Sequence, residues 1–352
     1  MGRSHERLLV RDGPRSGLPM AIAVHSTARG PALGGVRIWS YPRARDGVHD
    51  ALRLAQGMTL KAAAAGLDLG GGKGVICAPA EGLGDPVRRR AALLDFGDLV
   101  ESLEGAYITA EDVGATPDDI ATIAERTDHV TGLSPERGGS GDPSPFTALG
   151  VEAAMRACAA TRFGSPELGG RTIAIIGLGH VGAHLARRLA AAGCELAVAD
   201  IDPEKRGLAG ELGASWVDAE HAMASECELL APCALGGAIS SRTLPHLRCA
   251  VVCGAANNQL ADDSLAEQLA ARGIVYAPDF IANAGGLIHV ASEILGYDEE
   301  RAVELAKAIE VSMARVLELA EDRVATPLAA ARELALVRLE AARANGSVAA
   351  AA

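Results

Sequence analysis

One short run constrains this chain more than any other: Gly177-Leu178-Gly179-His180-Val181-Gly182, a G-x-G-x-x-G turn. Alone the pattern is weak. Here it directly follows the apolar run Ile173-Ala174-Ile175-Ile176 and opens a stretch with helical spacing, so it reads as strand, turn and helix. The first glycine makes the tight turn, the second lets backbone approach a pyrophosphate, and the third lets helix and strand pack closely. The helix start at His180 and Val181 offers N–H groups and the positive end of the helix dipole to such an anion. Asp200 closes the next apolar run, CELAVAD. A carboxylate there can accept from both ribose hydroxyls and repels a 2′-phosphate, which favours NAD over NADP. Arg206 counts the other way if its loop bends back toward a phosphate. An ordinary βαβ glycine turn is the bland alternative.

The rest of the chain agrees with an α/β reading. Its 352 residues favour two domains, at roughly 100–200 residues each. Hydrophobic residues make up 49% and aromatics only 3%, so the cores must be built from Ala, Val, Leu and Ile, which suits helices packed on parallel strands. After residue 170, strand patterns at RTIAIIG, CELAVAD, ELLAPCA, RCAVVCGA and GIVYAPD predict a doubly wound, Rossmann-type sheet. Before it, strands are predicted at 20–27 and 105–114 and helices at 47–64 and 87–103, with a short helix after Pro117. Residues 67–74 read as a glycine-rich turn leading into a short strand at Val75-Ile76-Cys77. The breaker cluster SPERGGSGDPSP (134–145) puts the domain junction near 143–146. The expected domains are 1–143 plus a returning 326–352, and 144–325. Long helices are predicted at 299–321 and 326–344, with a frayed tail, NGSVAAAA.

Composition excludes several classes. A net charge of −12 without a basic stripe does not suit nucleic acid. Arg88-Arg89-Arg90 reads as a solvated helix face. The N-terminal MGRSHERLLVRDG is charged where a signal peptide needs an apolar region. No window approaches the ~18–20 apolar residues of a membrane span. Seven scattered cysteines without C-x-x-C argue for reduced thiols and a cytoplasmic protein. Cys249 and Cys253 flank Ala250-Val251-Val252 as a buried strand would, and no metal site is expected.

Chemistry concentrates in GPALGGVR (30–37), GMTLKAAAAGLDLGGGKGVI (57–76) and YITAEDVG (107–114). Lys61 and Lys73 are isolated lysines in Ala/Gly-rich sequence. A lysine can lose its proton when desolvated or set beside another cation, as an arginine effectively cannot. A helix-end lysine and a turn lysine are the plain alternatives. Asp112 ends an apolar strand, where a cap or solvated turn is equally natural. Asn257 and Asn258 follow a strand, where open α/β sheets bind ligands. Asn283 precedes a glycine pair that permits close approach. His289 reads as a packed histidine.

These motifs, with GGSGDPSPFTALGV, PCALGG, CGAANNQL and YAPDFIANAGGLI, make the chain resemble the glutamate/leucine/phenylalanine/valine dehydrogenases from about residue 6 to 340. The resemblance implies a substrate domain and a dinucleotide domain with a cleft between them. It implies NAD-dependent, reversible oxidative deamination of an L-amino acid to a 2-oxo acid and ammonia, by a homo-oligomer. It implies that Lys61 holds the substrate carboxylate, Lys73 is the catalytic base and Asp112 assists proton transfer. Gly34 and Gly35 would approach the substrate, with Asn258 near it. Ser144, Thr147, Ala234 and Asn257 would line the cofactor site. Glutamate enzymes carry a lysine in place of Leu33 and a serine in place of Val290. Here Leu33, Ala110, Leu287 and Val290 imply an apolar pocket for leucine, valine or isoleucine, with phenylalanine as the alternative. Val36 departs from a common threonine. The N-terminal helix of many relatives is largely absent, which leaves assembly open. A 2-hydroxy-acid or malic-type enzyme would need a histidine or metal-binding acids in the cleft. A non-catalytic NAD sensor would not need Lys61, Lys73 and Asp112 together.

Overall fold

The computed structural model describes residues 5–349 and divides into two compact units. The first holds the chain through Asp142, Val290–Tyr297 and the chain from Ala335, and the second holds Pro143–His289 and Asp298–Leu334.

The first unit contains β1 (Arg7–Asp12), β2 (Pro19–Ser26), β3 (Ala32–Leu33), β4 (Val36–Ser40), α1 (Ala44–Ala64), β5 (Gly70–Ala78), α2 (Pro86–Glu101), β6 (Tyr107–Ile108) and α3 (Pro117–Ile123). Its sheet runs β1-β2-β5-β3-β6, with β4 also paired to β5. The glycine-rich stretch is therefore not a turn, as its composition predicts, but part of the central strand. None of Gly70, Gly71, Gly72 and Gly74 has a positive φ; they are there for space. A Cβ would stand 1.9 Å from the Ser26 carbonyl oxygen at Gly70 and 2.1 Å from the Thr59 nitrogen at Gly71. At Gly72 it would stand 2.6 Å from the Tyr107 ring, and at Gly74 2.3 Å from Phe96. The strand is buried along its whole length, with α1 on one face and the Phe96–Tyr107 core on the other. Alanines at 51 and 55 of α1 pack with Ala21, Ala23, Val75 and Cys77.

Two further expectations need correction. The strand predicted at 105–114 shrinks to β6 plus isolated bridges at Thr109–Val130 and Val36–Glu111. The Arg88-Arg89-Arg90 face is not simply solvated. Arg89 grips Asp119 through two bonds, of 2.8 and 2.6 Å, and Arg90 grips Glu125 at 2.9 and 2.6 Å, so α2 is tied to α3 and the residues that follow it.

The second unit contains α4 (Ser144–Phe163), β7 (Thr172–Ile176), α5 (His180–Ala191), β8 (Glu195–Ala199), α6 (Arg206–Glu211), β9 (Ser215–Trp216), β10 (Leu229–Pro232), β11 (Val251–Val252), α7 (Leu265–Ala271), β12 (Val275–Tyr276), α8 (Asp279–Ala282), α9 (Gly285–Ser292), α10 (Glu299–Lys307), α11 (Ile309–Asp322) and α12 (Pro327–Ala349); α9 and α12 are completed in the first unit. The sheet runs β12-β11-β10-β7-β8-β9, and every pairing is parallel. This is the doubly wound order, with the chain reversing direction across the sheet between β7 and β10. The helix predicted over 299–321 is two helices meeting at Ala308. The tail helix runs through Ala349, and the last three residues of the NGSVAAAA expectation lie outside the described residues. No helix among the described residues is long and apolar enough to cross a membrane.

Candidate active site

In the first unit β3 and β4 form one line of chain beside β5, interrupted at Gly34-Gly35. The interruption is steric. A Cβ on Gly34 would lie 1.8 Å from the Gly72 carbonyl oxygen, and one on Gly35 2.3 Å from that of Glu111. The fully buried Tyr107 hydroxyl donates a short hydrogen bond to the Gly34 carbonyl. Leu33, beside this break, is completely buried, and the Ala110 carbonyl accepts from the Val36 N–H at 2.8 Å.

Lys73 lies in β5, opposite Ala23. Strand alternation puts it on the α1 face with Val75 and Cys77. It is only 4% exposed, and its Nζ lies 3.0 Å from Asp112 Oδ2. The same oxygen accepts from Arg37 Nε at 2.9 Å. Arg37 also donates to Asp50 Oδ2 at 3.0 Å. Tyr41 donates to that Asp50 oxygen at 2.7 Å, and Arg53 to the other at 2.8 Å. Burial is the largest influence on Lys73 and pushes its pKa below 10.5; Asp112 opposes the shift and Arg37 adds to it. Burial alone would raise the Asp112 pKa, but Lys73 and Arg37 together hold it below the ordinary carboxylate value. Lys61 sits half-buried in the last turn of α1, two residues beyond Thr59, whose hydroxyl bonds to His25 at 2.9 Å.

Sequence reasoning passes over Arg37, Asp50 and Tyr41. Arg37 is a cation that lowers the Lys73 pKa. The available signal was parity: with Val36 and Ile38 in the core, Arg37 must leave β4 on the Lys73 side. Glu293 is also missed. Its carboxylate accepts from the Thr131 hydroxyl at 2.6 Å, the Gly132 N–H at 2.8 Å and the Ser140 N–H at 2.7 Å. The Val290 carbonyl lies 2.9 Å from the same Thr131 hydroxyl and shares its one proton with Glu293. Leu287 belongs to the second unit and Val290 to the first.

In the second unit the predicted nucleotide residues gather at the carboxyl ends of the strands. Gly177 has φ +103°, and a Cβ there would strike Ala234 at 2.8 Å, so Ala234 closes against the glycine turn. A Cβ on Gly182 would lie 1.9 Å from the Gly177 carbonyl oxygen. Gly179 differs: nothing lies within 4 Å of its would-be Cβ. It precedes the first residue of α5, His180, and leaves the open cradle that a pyrophosphate requires. Asp200 is pinned toward the turn, accepting from the Leu178 N–H at 2.6 Å and the Asp202 N–H at 2.9 Å. Asn257 and Asn258 are exposed, and Asn258 adopts a positive φ of 51°. Asn283 is buried and donates to the Asn257 side chain at 2.9 Å. Ser144 and Thr147 open α4, and a Cβ on Gly286 would meet Thr147 Oγ1 at 2.5 Å. His289 is buried and stacks on Phe146, with ring centroids 3.9 Å apart. The residues present thus fit a dinucleotide.

A doubly wound dinucleotide unit joined to a unit carrying a buried lysine–aspartate pair defines a two-domain oxidoreductase. Residues 9–129 match the family model for the Glu/Leu/Phe/Val dehydrogenase dimerisation domain. Residues 198–346 match that for glutamate/leucine/phenylalanine/valine dehydrogenase. The chain is 46% identical to a leucine dehydrogenase from Geobacillus stearothermophilus, covering 96% of this chain and 92% of that one. It is 44% identical to a valine dehydrogenase from Streptomyces albus, covering 97% and 94%. Among solved structures, L-tryptophan dehydrogenase from Nostoc punctiforme superposes with a TM-score of 0.85 at 38% identity, over 96% of this chain and 97% of that one. The chain belongs to the glutamate/leucine/phenylalanine/valine dehydrogenase family and is an amino-acid dehydrogenase. Residues 150–234 also match the NAD binding domain of the D-isomer specific 2-hydroxyacid dehydrogenases, a match confined to the dinucleotide unit, whose architecture serves many reactions.

Proposed function

We propose that this protein is a branched-chain L-amino-acid dehydrogenase. It converts leucine, valine or isoleucine with water and NAD to the 2-oxo acid, ammonia and the reduced dinucleotide, and the reaction is reversible. The observation that carries this reading is the buried Lys73 amine, held 3.0 Å from Asp112 beside the Gly34-Gly35 break.

The dinucleotide, when bound, accepts a hydride from the substrate Cα. The remaining work falls to this chain's residues. Lys61 binds the substrate carboxylate. Lys73, kept from its proton by burial, takes one from the water that adds to the iminium carbon. Asp112 moves protons as the carbinolamine loses ammonia. Activity in the deaminating direction therefore rises with pH as Lys73 deprotonates. Asn258 lies near the substrate, and Ser144, Thr147, Ala234 and Asn257 line the cofactor site.

We assign Leu33, Ala110, Leu287 and Val290 as the wall of residues that would meet the substrate side chain. A glutamate carboxylate against such a wall would lack partners, which costs several kcal/mol. Arg206 stacks over Trp216 at 5.2 Å and pairs with Asp218 at 3.6 Å. It is thereby drawn off from a 2′-phosphate, which favours NAD. Kinetics with leucine, valine, phenylalanine, tryptophan and glutamate, each with NAD and NADP, test these assignments. Leucine or valine with NAD should give the highest kcat/KM, and a glutamate or NADP maximum overturns them. An aromatic substrate is the second reading, supported by the likeness to the tryptophan enzyme and by the small Ala110. Lys73→Ala should abolish turnover while NAD still binds, which separates an enzyme from a sensor. The match to a dimerisation domain supports a homo-oligomer, testable by light scattering. A cytoplasmic location accords with the seven free thiols.

A further inference from the structure

Asp112 offers one oxygen to two cations. Lys73 Nζ and Arg37 Nε both lie on Oδ2, at 3.0 and 2.9 Å, and among the described residues no donor reaches Oδ1. Arg37 is itself held from behind. Its Nη1 is fixed at 3.0 Å to Asp50, which Tyr41 and Arg53 hold in turn. Asp50 and Arg53 both stand on α1, so the helix holds the strand residue Arg37 from outside the sheet. The guanidinium therefore spans two carboxylates from β4, a bridge that its rigid, planar fork makes and a lysine's single ammonium does not. Against this bridge lies a cavity of about 450 Å³, lined among others by Arg37, Tyr41, His49, Asp50 and Arg53.

We infer that Arg37 is a positioning residue for the Lys73–Asp112 pair: it holds Asp112 by Oδ2, leaving Oδ1 for the reacting atoms, and keeps a positive charge beside the amine. This rests on Lys73 acting as the base. The first effect is geometric. With one oxygen committed to two donors, the carboxylate cannot turn to chelate the lysine with both. The second is electrostatic, and both consequences of removing Arg37 have the same sign. Lys73 loses a neighbouring cation, and Asp112 is freed to pair with it more closely. Each favours the protonated amine. The charged and titratable groups that act on the pair are Arg37 from β4, Asp50 from α1 and the Tyr107 phenol from β6; Glu111 adjoins Asp112 in sequence, and Lys61 lies in the last turn of α1. His49, Asp46 and Arg53 from α1 and Tyr41 stand on the cavity side. Asp50 acts on Lys73 in the opposite direction to Arg37.

The test compares Arg37→Met, Arg37→Lys and Lys73→Ala with the parent enzyme, using L-leucine and NAD. It measures kcat/KM across pH, with a thermal melt for each protein. In Arg37→Met the rising limb should move about one unit to higher pH, a loss of about tenfold at a fixed pH on the limb that shrinks toward the alkaline plateau. Arg37→Lys should recover most of the limb position, because the charge returns, but not the plateau, because Asp112 is held less firmly. A uniform loss at every pH with an unmoved limb, accompanied by a lower melting temperature, means that Arg37 is only structural and overturns the inference. If Arg37→Met fails to fold, Arg37→Lys decides: an unchanged plateau and limb overturn it. If Lys73→Ala keeps its turnover, the base assignment itself falls, and that result is distinct from an unmoved limb in an enzyme that Lys73→Ala inactivates.

Discussion

Replacing Lys73 with methionine should make this protein more stable and nearly inactive. The lysine side chain is only 5% exposed, and burial is the main influence that drives its proton off. Exchanging a buried ion pair for apolar packing of similar volume is often neutral or stabilising, by about 1–4 kcal/mol, whereas stranding one partner costs about 3–5 kcal/mol. Asp112 is not stranded here, because Arg37 remains at 2.9 Å. A gain of about 1–3 kcal/mol follows, and each kcal/mol raises the melting temperature of a unit this size by about 2–4 °C. The pH dependence has a definite sign. Between the lowered folded pKa and 10.5, the unfolded chain binds a proton that the folded chain does not, so wild-type stability climbs with pH in that window. The charge-derived advantage of methionine is thus full below the folded pKa and vanishes as the pH reaches about 10.5. Turnover should fall by at least about 10²–10⁴-fold, the usual worth of a general base. Melts of both proteins from about pH 6 to about pH 10, with steady-state rates on leucine, supply the check. A methionine variant that melts lower than wild type, or whose advantage grows with pH, refutes the reasoning.

The two glycines of the nucleotide turn should separate cleanly. Gly179→Val should leave the melt unchanged but raise KM for NAD, since its side chain enters open space, whereas Gly182→Ala should lower the melting temperature because its Cβ would meet the Gly177 carbonyl at 1.9 Å. An equal thermal cost for both would contradict the assignment of Gly179 to the pyrophosphate. Asp200→Ser removes the charge proposed to face the ribose. NADP use relative to NAD should rise by at least about tenfold, or about 1.4 kcal/mol of relieved repulsion, as competition kinetics would reveal. Tyr107→Phe leaves the buried Gly34 carbonyl without its hydroxyl donor. Denaturant titration should show a loss of about 1–3 kcal/mol, and no change would mean that the short bond contributes nothing.

Much of the second unit was legible because its signals are local. Gly177, Gly182 and Asp200 stand at fixed offsets from a strand, and the structure supplies the contact behind each. The positive φ of Asn258 carries no such mark, and neither does the support Asn283 gives to Asn257. In the first unit the chemistry-bearing segments were visible as segments but their geometry was not. Lys73 sits in a run whose composition spells a turn, yet tertiary crowding by Thr59, Tyr107 and Phe96 makes it a strand. Arg37 and Asp50 are ordinary charged residues in sequence; the place of β4 in the sheet brings Arg37 to Asp112, and the packing of α1 brings Asp50 to Arg37. The arginine triplet misled for the same reason, its acidic partners lying on and after α3.

The glycine strand β5 has a consequence for how this enzyme can change. Its backbone is wedged on both faces, so a mutation at Gly70, Gly71, Gly72 or Gly74 costs the fold, and Lys73 can neither move along the strand nor be approached from a new side. Leu33, Ala110, Leu287 and Val290 lie off that strand. On the proposed assignment, substrate preference is therefore free to wander by substitution at those four positions, while Lys73 stays locked in backbone that no side chain can enter.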